Sequence, residues 1–418
     1  MSELVAIALF ALALGLIASE RIDRTKVALA GGALAVILGL LSQEEAIESV
    51  DWGVLGLLAG MMILVWGVER SGVFRYLAIR TGQWSQGRPV RLMFGLTGAT
   101  AVASALLDNV TTVLLIVPIT LAIADALDVP AVPLIVAEVI ASNLGGAATL
   151  IGDPPNIIIA GESGLGFLDF LVNVGPPALI SYAVVTCALL LVYRTRLRAA
   201  PERVAELEGL DAAASLGSRR EVVGALVCLG VTLAGFFAHS AVGLEPPTIA
   251  LGGAVLYLLV SRAHIEEPLA AIEWPTLFFF AGLFVLVGSL EVTGVLEEVA
   301  NGLQSATEGS KAGQVMAIAW GSAFASGLVD NIPFTAAMSP VVDQISAPGD
   351  DSAWWALSIG ACYGGNFTLI AASANLVAAG ALRRVGKRIS FMQFLKIGVP
   401  MTLLSMIVGT AWLLLVEV

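Results

Sequence analysis

Apolar runs recur along the chain at about 3–19, 26–42, 53–69, 131–160 and 171–193, and again at about 221–238, 248–262, 274–290, 353–380 and 394–416. At ~1.5 Å per residue, several with flanking residues, they are long enough to cross a hydrocarbon core of ~30 Å. The pattern predicts five crossings on each side of a charged segment, 194–220. Two further apolar regions, 92–124 and 313–347, carry polar pairs at their middles, Asp108-Asn109 and Asp330-Asn331. A carboxylate followed by an amide suits a tip that lines a cavity better than a helix facing lipid, so both regions read as re-entrant hairpins. Two ordinary crossings joined at the Asp are the alternative.

The run 131–160 cannot be one helix. Gly145, Gly146 and Gly152 each cost ~1 kcal/mol against Ala in a helix interior, and Pro154-Pro155 blocks continuation from Asp153. In lipid, unwound backbone survives only where protein or a wet cavity satisfies it, and such broken helices in transporters hold substrate and ions.

The two sets of runs are one pattern used twice. At a separation of 222 residues the chain repeats Trp52/Trp274, Gly60/Gly282, Gly72/Gly294, Ser104/Ser326, Asp108/Asp330, Asn109/Asn331 and Pro118/Pro340. At 219 it continues with Gly145-Gly146/Gly364-Gly365, Thr149/Thr368 and Asn156/Asn375, which makes 361–380 a second broken helix. The expected fold is an all-α polytopic membrane protein of two inverted-topology repeats, each of about five transmembrane helices with a re-entrant hairpin and a broken helix. The repeats are 1–193 and 221–418, joined by a cytoplasmic linker, 194–220.

Composition agrees with a multi-pass protein, with 58% hydrophobic and 13% charged residues against ~25% charged in a soluble domain. Leu4 to Ser19 lacks a signal peptide's basic start and is followed by Arg21, Arg24 and Lys26, so it reads as a retained span. The net charge of −12 repels nucleic acid. The loop 70–91 holds Arg70, Arg75, Arg80, Arg88 and Arg91, whereas its counterpart 292–312 holds Glu297, Glu298 and Glu308 against Lys311. Glu162 and Asp169 stand likewise against Arg383, Arg384, Lys387 and Arg388. The positive-inside rule places the Arg-rich loops in the cytoplasm, as an inverted repeat with five crossings per half requires.

The run Leu107-Asp108-Asn109-Val110-Thr111-Thr112 to Pro118, with Gly145-Gly146, Thr149 and Gly152-Asp153-Pro154-Pro155-Asn156, closely resembles the arsenite-permease/P-protein group of the ion transporter superfamily. In the second half Asp330-Asn331-Ile332-Pro333-Phe334-Thr335, Trp354-Trp355, Gly364-Gly365-Asn366, Ser373-Ala374-Asn375 and Ser390-Phe391-Met392 look more like its P-protein branch. The resemblance implies a carrier with two hairpins and two broken helices around one midplane site, a homodimer in the prokaryotic cell membrane. In the related sodium-dicarboxylate symporters the hairpin tip is Ser-Asn-Thr. Here Asp108 and Asp330 replace that Ser, a departure that bears on sodium coupling.

The candidate substrate and ion site is Asp108, Asn109, Thr111 and Thr112 of the first hairpin with Asn143, Gly145, Gly146, Thr149, Gly152, Asp153 and Asn156 of the first break. The second half adds Asp330, Asn331 and Thr335, then Gly364, Gly365, Asn366, Thr368, Ser373 and Asn375. Carboxylates at membrane depth are costly and so point to function. Asp108, Asp153 and Asp330 are each either a carrier of the coupling ion, H+ or Na+, or a cap on free helix N–H groups, and capping competes most strongly at Asp153. The four asparagines either bind the transported species or brace the breaks. Glu138 is either functional or a paired helix-face residue. No Lys or Arg falls within 92–124, 131–160, 313–347 or 353–380, so an anion would be held by half-helix N-termini and a co-bound cation.

The function expected is secondary active transport, without enzymatic activity, of an inorganic or small organic anion or oxyacid such as arsenite, coupled to protons or sodium. A Na+/H+ antiporter and an anion channel are alternatives. Cys187, Cys228 and Cys362 do not cluster, which leaves thiol capture of arsenite unsupported. An intramembrane aspartyl protease, whose aspartates share a proton, is opposed by Leu150, where such proteases carry a glycine, and by Ala372 at the repeat position of Asp153.

Overall fold

Helices begin where the chain supplies caps and stop where it supplies glycine or a polar break. The computed structural model describes residues 2–19, 21–197, 204, 209, 211–307 and 309–418. The helices before the linker are α1 (Ser2–Ser19), α2 (Arg24–Ile37), α3 (Gln43–Glu48), α4 (Trp52–Ser71), α5 (Val73–Ser85), α6 (Pro89–Leu106), α7 (Asn109–Ala126), α8 (Ala131–Ala147), α9 (Pro154–Ser163), α10 (Phe167–Asn173) and α11 (Gly175–Tyr193). After it come α12 (Arg219–Val242), α13 (Pro246–Val260), α14 (Glu266–Ala270), α15 (Trp274–Val292), α16 (Val295–Ala306), α17 (Lys311–Leu328), α18 (Asn331–Ile345), α19 (Ser352–Gly364), α20 (Ser373–Arg384) and α21 (Phe391–Trp412).

There is no strand among the described residues. Eight of these helices, alone or continued by a neighbour, are long and apolar enough to cross a membrane, and α9 and α10 form a further apolar pair bent by 116°. The chain is an integral, multi-pass membrane protein.

Two expectations change. The segments 70–91 and 292–312 are largely helical: α5 and α16 each start after a left-handed glycine, Gly72 (φ 74°) and Gly294 (φ 82°). Their many charges hid amphipathic helices with one buried face. The apolar run 26–42 yields a helix that ends at Ile37, because the chain turns at Leu38-Gly39. Its 14 residues rise only ~21 Å, short of a ~30 Å core. Much of the expected linker 194–220, and Glu308, lie outside the described residues.

Helices pair through small residues, as lipid-embedded helices do when close backbone approach replaces the hydrophobic effect. A Cβ on Gly60 of α4 would stand 2.7 Å from the Ala250 carbonyl carbon of α13, and one on Gly282 of α15 would stand 2.6 Å from that of Ala28 in α2. These are repeat-related contacts. A second such pair joins α8 to α6, where Gly145 meets Ala101, and α19 to α17, where Gly364 meets Ala323. Helices α2, α4, α13 and α15 thereby form one group. Helices α6–α9 and α17–α20 form another, crossed in contact by α9 on α18 and α7 on α20.

Candidate functional site

Both Asp-Asn pairs, at the turns expected to be hairpin tips, are built as helix caps. The backbone N–H of Thr111 donates to Asp108 Oδ1 at 2.8 Å, and that of Ile332 donates to Asp330 Oδ1 at 3.0 Å. Each Asp thus satisfies an orphan donor in the first turn of α7 or α18. The residues that follow, Asn109 and Asn331, are buried and open those helices at the level of the breaks.

The breaks are braced by the asparagines. The Asn156 amide donates to the carbonyls of Ala147 at 3.0 Å and Thr149 at 2.8 Å, and the Asn375 amide donates to those of Gly365 at 2.7 Å and Thr368 at 2.9 Å. Thr149 and Thr368 tie each break to its hairpin by donating to the Ala105 carbonyl at 2.6 Å and the Gly327 carbonyl at 2.7 Å. Unwound backbone inside the protein is thereby largely satisfied.

Asp153 differs from the other two aspartates. It stands at the N-cap of α9 but makes no capping bond, contrary to the expectation that capping competes most strongly there. Pro154 and Pro155 occupy the first two helical positions, and prolines have no N–H to offer. Its Oδ1 accepts instead from Asn109 Nδ2 at 3.1 Å and Asn331 Nδ2 at 3.4 Å, one amide from each hairpin tip. Oδ2 has no hydrogen-bond partner, although the Cys362 thiol lies beside the carboxyl. The side chain is fully buried, and among the described residues no cation is paired with it.

Asn143 joins the two parts of the chain. Its Oδ1 accepts from Asn109 Nδ2 at 3.1 Å, and its amide donates to Asn366 Oδ1 at 2.9 Å and Asn375 Oδ1 at 3.1 Å. At the repeat position of Asn143 stands Cys362, whose thiol donates to Asn156 Oδ1 at 3.5 Å, beside Ser358 Oγ at 2.7 Å. Asn366 Nδ2 is buried without a partner.

A cavity of about 50 Å³ lies against this centre, bordered by Asp108, Asn109, Thr111, Asp153, Asn331 and Ser373 of the expected set, and also by Met61, Met62, Glu273 and Thr276. It has room for a few waters or a small ion. Arg24 borders it too, which corrects the expectation of a site without a basic residue. Its Nη1 lies 3.2 Å from Asp330 Oδ2 and donates also to Ser373 Oγ. Arg24 escaped the sequence reading because it lies 306 positions from Asp330 and falls among Arg21 and Lys26, which read as a loop. The signal available was Asp23, a good N-cap that puts Arg24 inside the helix, where Asp23 Oδ1 accepts from Thr25 N at 3.1 Å.

Other expected residues serve the scaffold. Thr335 bonds back to the Asn331 carbonyl, and Thr112 is buried without a partner. Gly145, Gly146, Gly152 and Gly364 are positions of close backbone contact, and Gly365 supplies a carbonyl to Asn375. Glu138 is buried, and its Oε1 accepts from Thr120 at 2.5 Å. Among the described residues no group of three or more His, Cys, Asp or Glu side chains could hold a metal ion.

Residues 14–360 match the profile of CitMHS, described as a citrate transporter family. An uncharacterized transporter of Mycobacterium tuberculosis is 42% identical over 420 residues, covering 98% of each chain. The P protein of Mus musculus is 34% identical, with 99% of this chain matching 60% of that protein. The crystal structure of the Alcanivorax borkumensis YdaH transporter, described as having an unusual topology, aligns over 99% of this chain and 97% of its own with a TM-score of 0.57. At 16% identity that likeness speaks to the fold. The P-protein side of the resemblance is shown by these relatives, and none of the three is an arsenite permease.

Proposed function

Because this chain belongs to the CitMHS citrate-transporter family, we propose that it is a secondary active carrier of a small carboxylate or oxyacid anion, driven by protons or sodium. The observation that carries this reading is Asp153, a buried carboxylate that borders the cavity, with one oxygen held by the Asn109 and Asn331 amides and the other without a hydrogen-bond partner among the described residues. A carboxylate at such depth is costly unless a cation neutralises it. A proton or Na+ arriving at Asp153 would supply that neutralisation and change how both tips are held, which is the differential interaction a coupled carrier needs. Arsenite remains among the substrates to test, as an oxyacid the hydroxyl and amide groups could hold.

Purified protein in liposomes, assayed with citrate, succinate, arsenite, phosphate and chloride under separate pH and Na+ gradients, tests this. Accumulation of an anion above its equilibrium level under one gradient is expected. Downhill flux alone would make the protein a channel. Na+ movement against a pH gradient with no anion moving would make it a Na+/H+ antiporter, the second reading, which the carboxylates Asp108, Asp153 and Glu273 around the cavity favour.

The same proposal includes inverted topology with re-entrant hairpins, supported by the opposite loop charges and by tips that meet breaks partway along α8–α9 and α19–α20. Single cysteines replacing the exposed Arg80 and Arg384 should resist an impermeant thiol reagent in intact cells, whereas one replacing Glu297 should label. Labelling of all three from outside would remove the inverted arrangement. Assembly as a homodimer belongs to this proposal and is read from the mass of the purified protein in detergent.

A further inference from the structure

Arg24 is held in a way that shows what it can bind. Its Nη1 reaches both Asp330 Oδ2 and Ser373 Oγ, and Ser373 Oγ donates to the same carboxylate oxygen at 3.4 Å, closing a triangle of guanidinium, hydroxyl and carboxylate. The guanidinium lies 5.1 Å from the centre of the Phe279 ring, which fixes its plane. An arginine offers five donors in a planar fork. Among the described residues only Nη1 is engaged in a hydrogen bond, so Nε and Nη2 remain for another oxygen.

The setting favours an anion. Ser373 opens α20, a helix of 12 residues, so the positive end of its dipole points at the same spot. Arg24 opens α2 and borders the cavity. The side chains of Arg24 and Asp330 are 29% and 10% exposed, which shields the pair from much of the solvent screening an exposed ion pair suffers. None of this is repeated in the other half, where Pro246 stands at the position of Arg24 and Pro154 at that of Ser373. Asp108, the counterpart of Asp330, has no basic partner among the described residues and acts as a cap.

We propose that Arg24, with Ser373, is the receptor for a carboxylate group of the transported anion, and that Asp330 is an internal surrogate for that group. The proposal rests on the carrier reading above and deepens it by naming the residues that hold the substrate's carboxylate. The incoming carboxylate takes Arg24 and Ser373 from Asp330 Oδ2, while Asp330 Oδ1 keeps its cap on Ile332. The cavity is polarised as a result, with the anion toward Arg24 and α20 and the coupling cation toward Asp153. It must widen to admit a citrate-sized anion, and release of the Asp330–Arg24 tie between α2 and α18 permits that.

The test uses the full-length protein in liposomes, with radiolabelled citrate and succinate in exchange mode so that coupling does not enter. Arg24→Gln should raise KM for both about tenfold to a hundredfold, the loss expected of a charged hydrogen bond. Lys26→Gln, two positions on and exposed, should leave KM within about twofold of wild type. Asp330→Asn keeps the capping oxygen and removes the competing charge, so it should lower KM. The double variant Arg24→Asp/Asp330→Arg should stay defective, because the cation has left its place beside Ser373. A purely structural ion pair gives the opposite results: the reversed pair restores transport and Asp330→Asn weakens it. Unchanged KM in Arg24→Gln, or rescue by the reversed pair, overturns the inference alone. Failure of wild-type vesicles to move any anion overturns the carrier reading from which it starts.

Discussion

Asp153→Asn is expected to abolish uphill transport while leaving the protein folded and able to exchange substrate. The substitution keeps an oxygen where Asn109 and Asn331 donate, so both hairpin tips stay satisfied. It replaces the unpartnered Oδ2 by an amide nitrogen and removes the charge that a proton or Na+ neutralises. With no coupling ion bound, the imposed gradient has nothing to act on, and the accumulation ratio falls to about one. Exchange of labelled for unlabelled substrate persists, since moving the site across the membrane does not require net ion movement.

The companion variants sharpen this. Asp108 and Asp330 accept from backbone N–H groups, a task asparagine performs as well, so Asp108→Asn and Asp330→Asn should still concentrate substrate. Measurement of accumulation and exchange in the same vesicles decides it. Gradient-dependent accumulation by Asp153→Asn at the wild-type level would move the coupling role to another carboxylate.

The second large effect is structural. Asn143→Leu is nearly the same size but deletes three hydrogen bonds, from Asn109 and to Asn366 and Asn375. The abandoned groups are buried, and each unsatisfied group costs ~1–3 kcal/mol. Loss of several kcal/mol matches a large share of the ~5–15 kcal/mol by which proteins are stable. We expect a broadened gel-filtration profile in detergent and a lowered melting temperature. Cys362→Ser is the control. It keeps a donor toward Asn156, which Ser358 also serves, and should remain within about 1 kcal/mol of wild type. A monodisperse Asn143→Leu protein with an unchanged melting temperature would show that the network is dispensable.

Most of what surrounds the site could be read from residue types. The glycines and prolines mark the first break, although it is narrower than they suggest: α8 runs through Gly145 and Gly146 to Ala147 and α9 starts at Pro154, which leaves 148–153 unwound. The Asp-Asn pairs stand at both helix starts because an Asp followed by free N–H groups is a cap. Thr149 and Thr368, found as a repeated pair, make the same bond in each half. What escaped depended on contacts between distant parts of the chain. Nothing local to Arg24 says that it meets Asp330, and its basic neighbours argued for a loop. Asp153 was misweighed for a related reason: its position next to α9 suggests a cap, and only the placement of two distant amides shows that its oxygen is used elsewhere. Helices α5 and α16 were hidden by charge, since an amphipathic helix with one buried face resembles a polar loop when only its net composition is considered.

The reach of Asn143 also bears on how the protein is made. Its two amide protons go to Asn366 and Asn375, residues synthesised 223 and 232 positions later. At ~5–20 residues per second the first half waits roughly ten to fifty seconds before those acceptors exist. Throughout that interval a polar side chain destined for the interior has neither its final partners nor, in hydrocarbon, water. The nascent first half is therefore expected to linger beside the insertion machinery, with helix α8 admitted to the lipid only once the second half arrives to receive it.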